Sequence, residues 1–316
     1  MHLPADRAAI ATEKRNPRTM DLHARSVADL VALINREDRD VPLALKRAAK
    51  RLTRLIEAIE PRFLAGGRVI YVGAGTSGRL GVLDASEAPP TFCVPEGRIV
   101  GIIAGGDAAL RRSSEGLEDD PKGAWPALEA LALTPRDSVI AIAAGATTPY
   151  ALGALDFCAA LHADATNRPL TALLACADPP EPPASADHVV VLKTGPEVLT
   201  GSTRMKAGTA TKLALNTIST TLMVRAGRVY QNLMVDLRAT NDKLRDRGAR
   251  VLGMLTGLSR PEAFALLERA GGAVKVGVVM HHLGLDAPAA AARLAACDDR
   301  LDRALADEAP EHSRVD

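Results

Sequence analysis

The sequence predicts an α/β fold in which helices pack over a parallel sheet. Four short apolar runs, Val69 to Val72, Ile99 to Ala104, Val139 to Ala143 and Leu170 to Cys176, recur with helical segments between most of them, the pattern of successive β-α units. Aromatic residues make up only 3% of a chain that is 47% apolar, so Ala, Val, Leu and Gly must fill the core, as where helices lie close on a sheet buried on both faces. A chain of 316 residues can bury about three quarters of its unfolded surface, enough for one large domain or two modest ones.

The elements follow in order. From Ser26 to Leu64, the residues Val27, Leu30, Leu33, Ile34, then Leu43, Leu45, Ala48, Leu52, Leu55 and Ile56 recur every three to four positions, which predicts amphipathic helices. After the four strands, a fifth, His188 to Leu192, follows the surface loop Asp178-Pro-Pro-Glu-Pro-Pro183. Ser202 to Val235 is small and apolar with Gly208 and Gly227 inside, and predicts a largely buried helix pair. Short helices are expected over Arg260 to Ala270, Ala273 to Leu283 and Asp286 to Ala296, the last with Asp286 as N-cap and Pro288 in its first turn. These boundaries divide the chain into a helical arm (1–56), an α/β domain (57–224) and a C-terminal helical region (225–316).

Charge and cysteine usage narrow the partners. Net charge is +1, with 39 basic against 38 acidic residues, so no bulk field draws the chain to nucleic acid or an anionic membrane. A small-molecule ligand is favoured. The four cysteines, Cys93, Cys158, Cys176 and Cys297, are far apart and fit neither a disulfide framework nor a zinc site, which points to a reducing cytoplasm. The first fifteen residues break their apolar positions with charges and carry no signal-peptide core. Ser138 to Ala160 is charge-poor but holds Gly145, Pro149, Gly153 and Asp156, and reads as strand, loop and helix rather than a membrane span.

The segment Gly73-Ala-Gly-Thr-Ser-Gly78 joins a buried strand to a helix. Gly73, Gly75 and Gly78 allow close approach of backbone amides, and Thr76 and Ser77 add hydroxyl donors where the helix dipole favours negative charge, so a phosphate is the expected guest. The spacing also satisfies G-x-G-x-x-G, but a dinucleotide site wants an acidic residue about 20 residues on, and the second strand ends later, near Gly105-Gly106-Asp107. No G-K-[ST] follows, which excludes a P-loop.

Three further groupings could carry chemistry. Glu87 stands where Pro89 and Pro90 are expected to stop the helix, and a helix C-terminus favours a protonated carboxyl able to donate. Glu115, Glu118, Asp119 and Asp120 form a carboxylate cluster expected at the end of the helix after Asp107, where crowding suits a general base. Gly195-Pro-Glu-Val-Leu-Thr-Gly-Ser-Thr-Arg-Met-Lys-Ala-Gly-Thr209 offers Ser202 and Thr203 as caps with Glu197, Arg204 and Lys206 nearby, either a substrate site or a capped helix with an ion pair. His281 and His282 are adjacent on a helix and face apart, so no metal is predicted.

Together these motifs, with Thr12-Glu-Lys-Arg-Asn16, Asp84-Ala-Ser-Glu-Ala-Pro-Pro-Thr91 and Asn232-Leu-Met-Val-Asp-Leu-Arg-Ala-Thr-Asn241, resemble the N-acetylmuramic acid 6-phosphate etherase family over most of the chain. The resemblance implies a sugar isomerase (SIS) domain, a three-layer α/β/α sandwich, in a homodimer with sites near the subunit interface. It implies cleavage of the C3 D-lactyl ether by elimination and hydration, without metal or organic cofactor. Carried over by position, Glu118 is the base at C2, with Glu115 the alternative, and Glu87 is the acid. Gly75, Thr76, Ser77 and Gly78 hold phosphate, with Thr147, Thr148 and Ser202 as further substrate-site residues.

One departure stands out. Relatives usually carry Ser-Gly-x-Thr-Pro after the third strand, where this chain has Gly145-Ala-Thr-Thr-Pro149. The lost hydroxyl should weaken phosphate binding tenfold or more unless Thr147 and Thr148 compensate. A sugar-phosphate-binding regulator of the same fold and an aldose-ketose isomerase are the alternative functions.

Overall fold

The computed structural model describes residues 6–237 and 242–306. The chain divides into two compact units, one formed by Met1–Glu87 with Glu96–Thr220, the other by Ala88–Pro95 with Thr221–Asp316.

The first unit opens with helices α1 (Val27–Asp38) and α2 (Asp40–Leu64). Then come β1 (Val69–Gly73), α3 (Gly75–Phe92), β2 (Ile99–Ile103), α4 (Trp125–Ala130), β3 (Ser138–Ile142), α5 (Pro149–Ala160), β4 (Leu170–Ala175), β5 (His188–Val191) and α6 (Lys206–Arg225). The five strands form one parallel sheet in the order β2-β1-β3-β4-β5, with Tyr71 opposite Gly101 on one side and Ile140 on the other. Every residue of β1, β3 and β4 is buried, as the unbroken apolar runs require of strands covered on both faces. Helix α5 packs on β1, β3 and β4, and α2 on β4 and β5, giving the expected α/β sheet with flanking helices.

Three elements differ from expectation. Helix α3 does not stop before Pro89 but runs through both prolines to Phe92. Proline's fixed φ suits a helix, and the cost is confined to the final turns, where the carbonyls of Ala85 and Ser86 lose their helical donors. No α-helix follows Asp107; the chain makes 3-10 turns at Gly106–Leu110 and Glu115–Leu117, so the carboxylate cluster does not close a helix. Ser202 to Val235 holds one helix, α6, rather than two. Gly227 at φ +71 leaves the helix, and β6 (Val229–Tyr230) and β7 (Leu233–Met234) form a short antiparallel ribbon.

The second unit contains that ribbon and α7 (Asp242–Thr256), α8 (Arg260–Arg269), α9 (Val274–Leu283), α10 (Ala287–Ala296) and α11 (Leu301–Leu305) around a core that includes Leu252, Leu266, Val278 and Leu294. Asp286 caps α10 as expected, accepting from the Ala289 amide at 2.9 Å. Residues 238–241, the end of the Asn232–Asn241 motif, lie outside the described residues. Among the described residues no helix is long and apolar enough to cross a membrane.

Candidate active site

In this strand order the chain leaves β1 toward β2 on one side and reaches β3 on the other. The C-terminal ends of β1 and β3 therefore flank the topological switch point where open α/β sheets place ligands. Both candidate phosphate loops start there.

After β1, Gly75 takes φ +51, a left-handed conformation that favours glycine, and α3 begins. Gly73 and Gly78 serve packing: a Cβ on Gly78 would stand 2.6 Å from both the Gly73 carbonyl oxygen and Ile103 Cγ1. Strand and helix can approach closely only because both lack side chains. Gly75, Thr76 and Ser77 remain half-buried at the start of α3, while Gly78 is buried.

Glu118 comes to this loop. A Cβ on Gly75 would lie 3.0 Å from Glu118 Oε1, so the carboxylate stands directly against the open face of Gly75. Its backbone is fixed by α5, whose Tyr150 amide donates to the Glu118 carbonyl at 3.0 Å. The side chain of Glu115 is outside the described residues.

After β3, the loop Gly145–Thr148 leads into α5, with Pro149 in the first turn and Thr148 as N-cap, its hydroxyl not used for capping. Ala146 sits at φ +60 and is buried, a non-glycine residue in the left-handed region. The alanine-for-glycine departure thus falls on the one residue of the loop with a left-handed backbone.

A third loop closes in from α6. A Cβ on Gly208 would contact Thr76 Cγ2 and the Thr203 carbonyl oxygen, each at 3.4 Å, so the first turn of α6 reaches the hydroxyl loop after β1. Glu197 caps α6, its two oxygens accepting from the Lys206 and Ala207 amides at 2.9 Å; Ser202 and Thr203 do not. Burial raises the Glu197 pKa, and the two amide bonds oppose the rise. Lys206, wholly buried, places its Nζ 3.6 Å from both Glu37 and Asp40. Glu37 receives a two-pronged bond from Arg18 and one from Asn16, and the Arg18 bonds lead in holding its pKa down to about 2.

Glu87 is not brought to this cluster within one chain. Because α3 runs unbroken, twelve residues at 1.5 Å each put Glu87 about 18 Å along the helix axis from Gly75. It is exposed. One turn earlier Asp84 is buried, accepting from Tyr71 Oη (3.1 Å), Asn216 Nδ2 (2.7 Å) and Ser219 Oγ (3.1 Å), with burial raising its pKa. The sequence offered Asp84 and Lys206 only as members of longer motifs, with no role for Asp84 and none for Glu37; the Asp-x-x-Glu spacing was the available signal for the first, and nothing local marks the Glu37–Lys206 pair.

All four cysteines are free, and burial pushes Cys158 and Cys176 up to about 12, so neither is a reactive thiolate. Among the described residues no group of three or more His, Cys, Asp or Glu could hold a metal.

Residues 49–159 match the family model of the glucokinase regulatory protein N-terminal SIS domain. A solved structure, E. coli CFT073 c3406 in complex with A5P, is similar at 15% identity over 63% of this chain and 93% of that one, with a TM-score of 0.44. The N-acetylmuramic acid 6-phosphate etherase of Synechococcus sp. (strain CC9605) is 47% identical over 96% of this chain and 94% of its own length. That of Enterobacter sp. (strain 638) is also 47% identical, over 94% and 98%. With near-complete coverage at this identity, the chain belongs to the N-acetylmuramic acid 6-phosphate etherase family.

Proposed function

We propose that this chain is a lyase that cleaves the C3 D-lactyl ether of N-acetylmuramic acid 6-phosphate, giving N-acetylglucosamine 6-phosphate and D-lactate. The observation that carries the reading is the Glu118 carboxylate set against Gly75, beside two hydroxyls at a helix N-terminus. The phosphate of the open-chain sugar sits over Thr76 and Ser77, with Thr147, Thr148 and Ser202 around it. Glu118 removes the C2 proton, acidic because it lies α to the aldehyde. The C3–O bond breaks as an acid protonates the lactate oxygen, and water then adds to C3 while the proton returns to C2.

The acid is Glu87, supplied by a second copy of the chain. A phosphate at the head of α3 directs the sugar away from that helix, and the 18 Å or so of helix behind it keeps the same chain's Glu87 out of reach. A homodimer that sets α3 of one copy at the switch point of the other completes the pair. Leu83, exposed one turn before Glu87, offers an apolar contact on that face. The four free thiols suit a cytoplasmic setting.

Incubating the pure protein with N-acetylmuramic acid 6-phosphate and assaying D-lactate tests the reaction. Release of lactate is expected. Tight binding without lactate would instead favour a sugar-phosphate-sensing role of the kind the regulatory-protein match suggests.

A further inference from the structure

One buried hydroxyl near the site has no role so far. Thr12 lies in a turn of residues 10–13, closed by the Glu13 amide donating to the Ile10 carbonyl at 2.9 Å. It has no exposed surface, and its Oγ1 has no hydrogen-bond partner. Buried hydroxyls are nearly always partnered, so one that is not calls for a partner the chain does not itself supply.

The position of this hydroxyl is specific. A Cβ on Gly145 would stand 3.7 Å from Thr12 Oγ1 and 3.7 Å from Thr147 Oγ1, so two hydroxyls from distant parts of the chain converge on the bare face of Gly145. The same turn also reaches the third loop, where Glu13 Oε2 is 3.4 Å from the place of a Cβ on Gly201. The turn is anchored from behind. Ile10 is buried against Gly145, Asn16 Nδ2 donates to Glu37 at 2.7 Å, and Thr19 Oγ1 donates to the Val198 carbonyl at 2.8 Å.

We propose that Thr12 is a ligand residue: together with Thr147, its hydroxyl donates to the oxygens of a phosphate monoester held over the loop after β3. The N-terminal turn is then a wall of the site. The place of a Gly145 Cβ is bounded at 3.7 Å by Ile10 Cγ2, Thr12 Oγ1 and Thr147 Oγ1, so residues 10–13 must shift to admit the oxygen. The inference rests on reading this loop as a phosphate site, but not on the ether-cleaving chemistry.

The test is calorimetric titration of the full chain with two probes, N-acetylmuramic acid 6-phosphate and inorganic phosphate, alongside thermal melts. Thr12→Val is expected to bind both probes about tenfold or more weakly, the loss typical of a hydrogen bond to a charged group. Its Tm should equal or exceed that of the parent, since the removed hydroxyl had no partner. Thr12→Ser should bind like the parent. Adding Gly145→Ser to Thr12→Val should recover part of the affinity, because a Cβ there meets its neighbours at ordinary contact distance and carries a hydroxyl to the same point. Unchanged affinity in Thr12→Val, or an affinity loss accompanied by a lower Tm, would overturn the proposal. So would a parent chain that binds neither probe. A parent that binds phosphate but releases no lactate would overturn the etherase reading while leaving the Thr12 comparison intact.

Discussion

The loops after β1 and β3 occupy equivalent places at the switch point, yet they are built differently. After β1 the left-handed position is Gly75, without backbone strain, and its open face is filled by the Glu118 carboxylate. After β3 the left-handed position is Ala146, strained but with a buried methyl in return, and the open face belongs to its neighbour Gly145, toward which Thr12 points. The first loop keeps a glycine where a Cβ would crowd the Glu118 carboxylate. The second has placed a side chain where the backbone wants none, and draws a hydroxyl from another segment. Loops of equal topology thus differ in what meets their open faces, a carboxylate at the first and two hydroxyls at the second.

The largest expected effect breaks the first loop. Glu118→Gln should lower lactate release by about 10² to 10⁴, the usual contribution of a general base, with exchange of the C2 proton into deuterated water falling in parallel. Exchange at the parent rate would move the base to Glu115 or elsewhere. Next comes Gly75→Ala, which forces a Cβ into the left-handed region at about 1 to 2 kcal/mol and sets it 3.0 Å from Glu118 Oε1, so stability and turnover should both fall.

Glu37 tests the support beneath the third loop. Its pKa in the folded chain is lowered to about 2 from an ordinary 4.5, so its stabilisation is present above pH 4.5 and is lost as pH falls toward 2. At most about 3 kcal/mol is at stake, less because Arg18 is half-exposed. Glu37→Gln should flatten that acid limb in denaturation midpoints measured from pH 6 to 2, and an unchanged limb would refute the assignment. The smallest effect is expected from Ala146→Gly. Relief of strain is offset by the lost methyl and by a more flexible unfolded chain, leaving stability within about 0.5 kcal/mol of the parent. A loss as large as that of Gly75→Ala would mean that the two loops do not differ as described.

The sheet was legible because its central strands are buried on both faces, so Val69 to Val72, Val139 to Ala143 and Leu170 to Cys176 stand out as unbroken apolar runs. The turn from β1 into α3 was legible because its glycines lie close together in the sequence. What escaped depends on contacts between distant segments. Pro89 and Pro90 read as a stop, but a proline pair in the closing turns ends nothing, and the length of α3 changes where Glu87 can act. The segment from Asp107 to Asp120 has helix-like spacing, yet it folds as 3-10 turns held by the Ser114 hydroxyl on the Ala104 carbonyl and by Tyr150 on Glu118. Thr12 enters the sequence reading only as the first residue of Thr12-Glu-Lys-Arg-Asn16, and nothing local shows that its hydroxyl lies against Gly145.

The central claim is that each site joins Glu118 of one copy to Glu87 of another, and mixing two inactive variants tests it most directly. Glu87→Gln and Glu118→Gln chains, denatured together in equal amounts and refolded, should regain about a quarter of the parent's lactate release. Random pairing makes half the dimers mixed, and each mixed dimer holds one intact site of two. A mixture no more active than either variant alone would contradict the account, placing both carboxylates in one chain or removing Glu87 from the reaction.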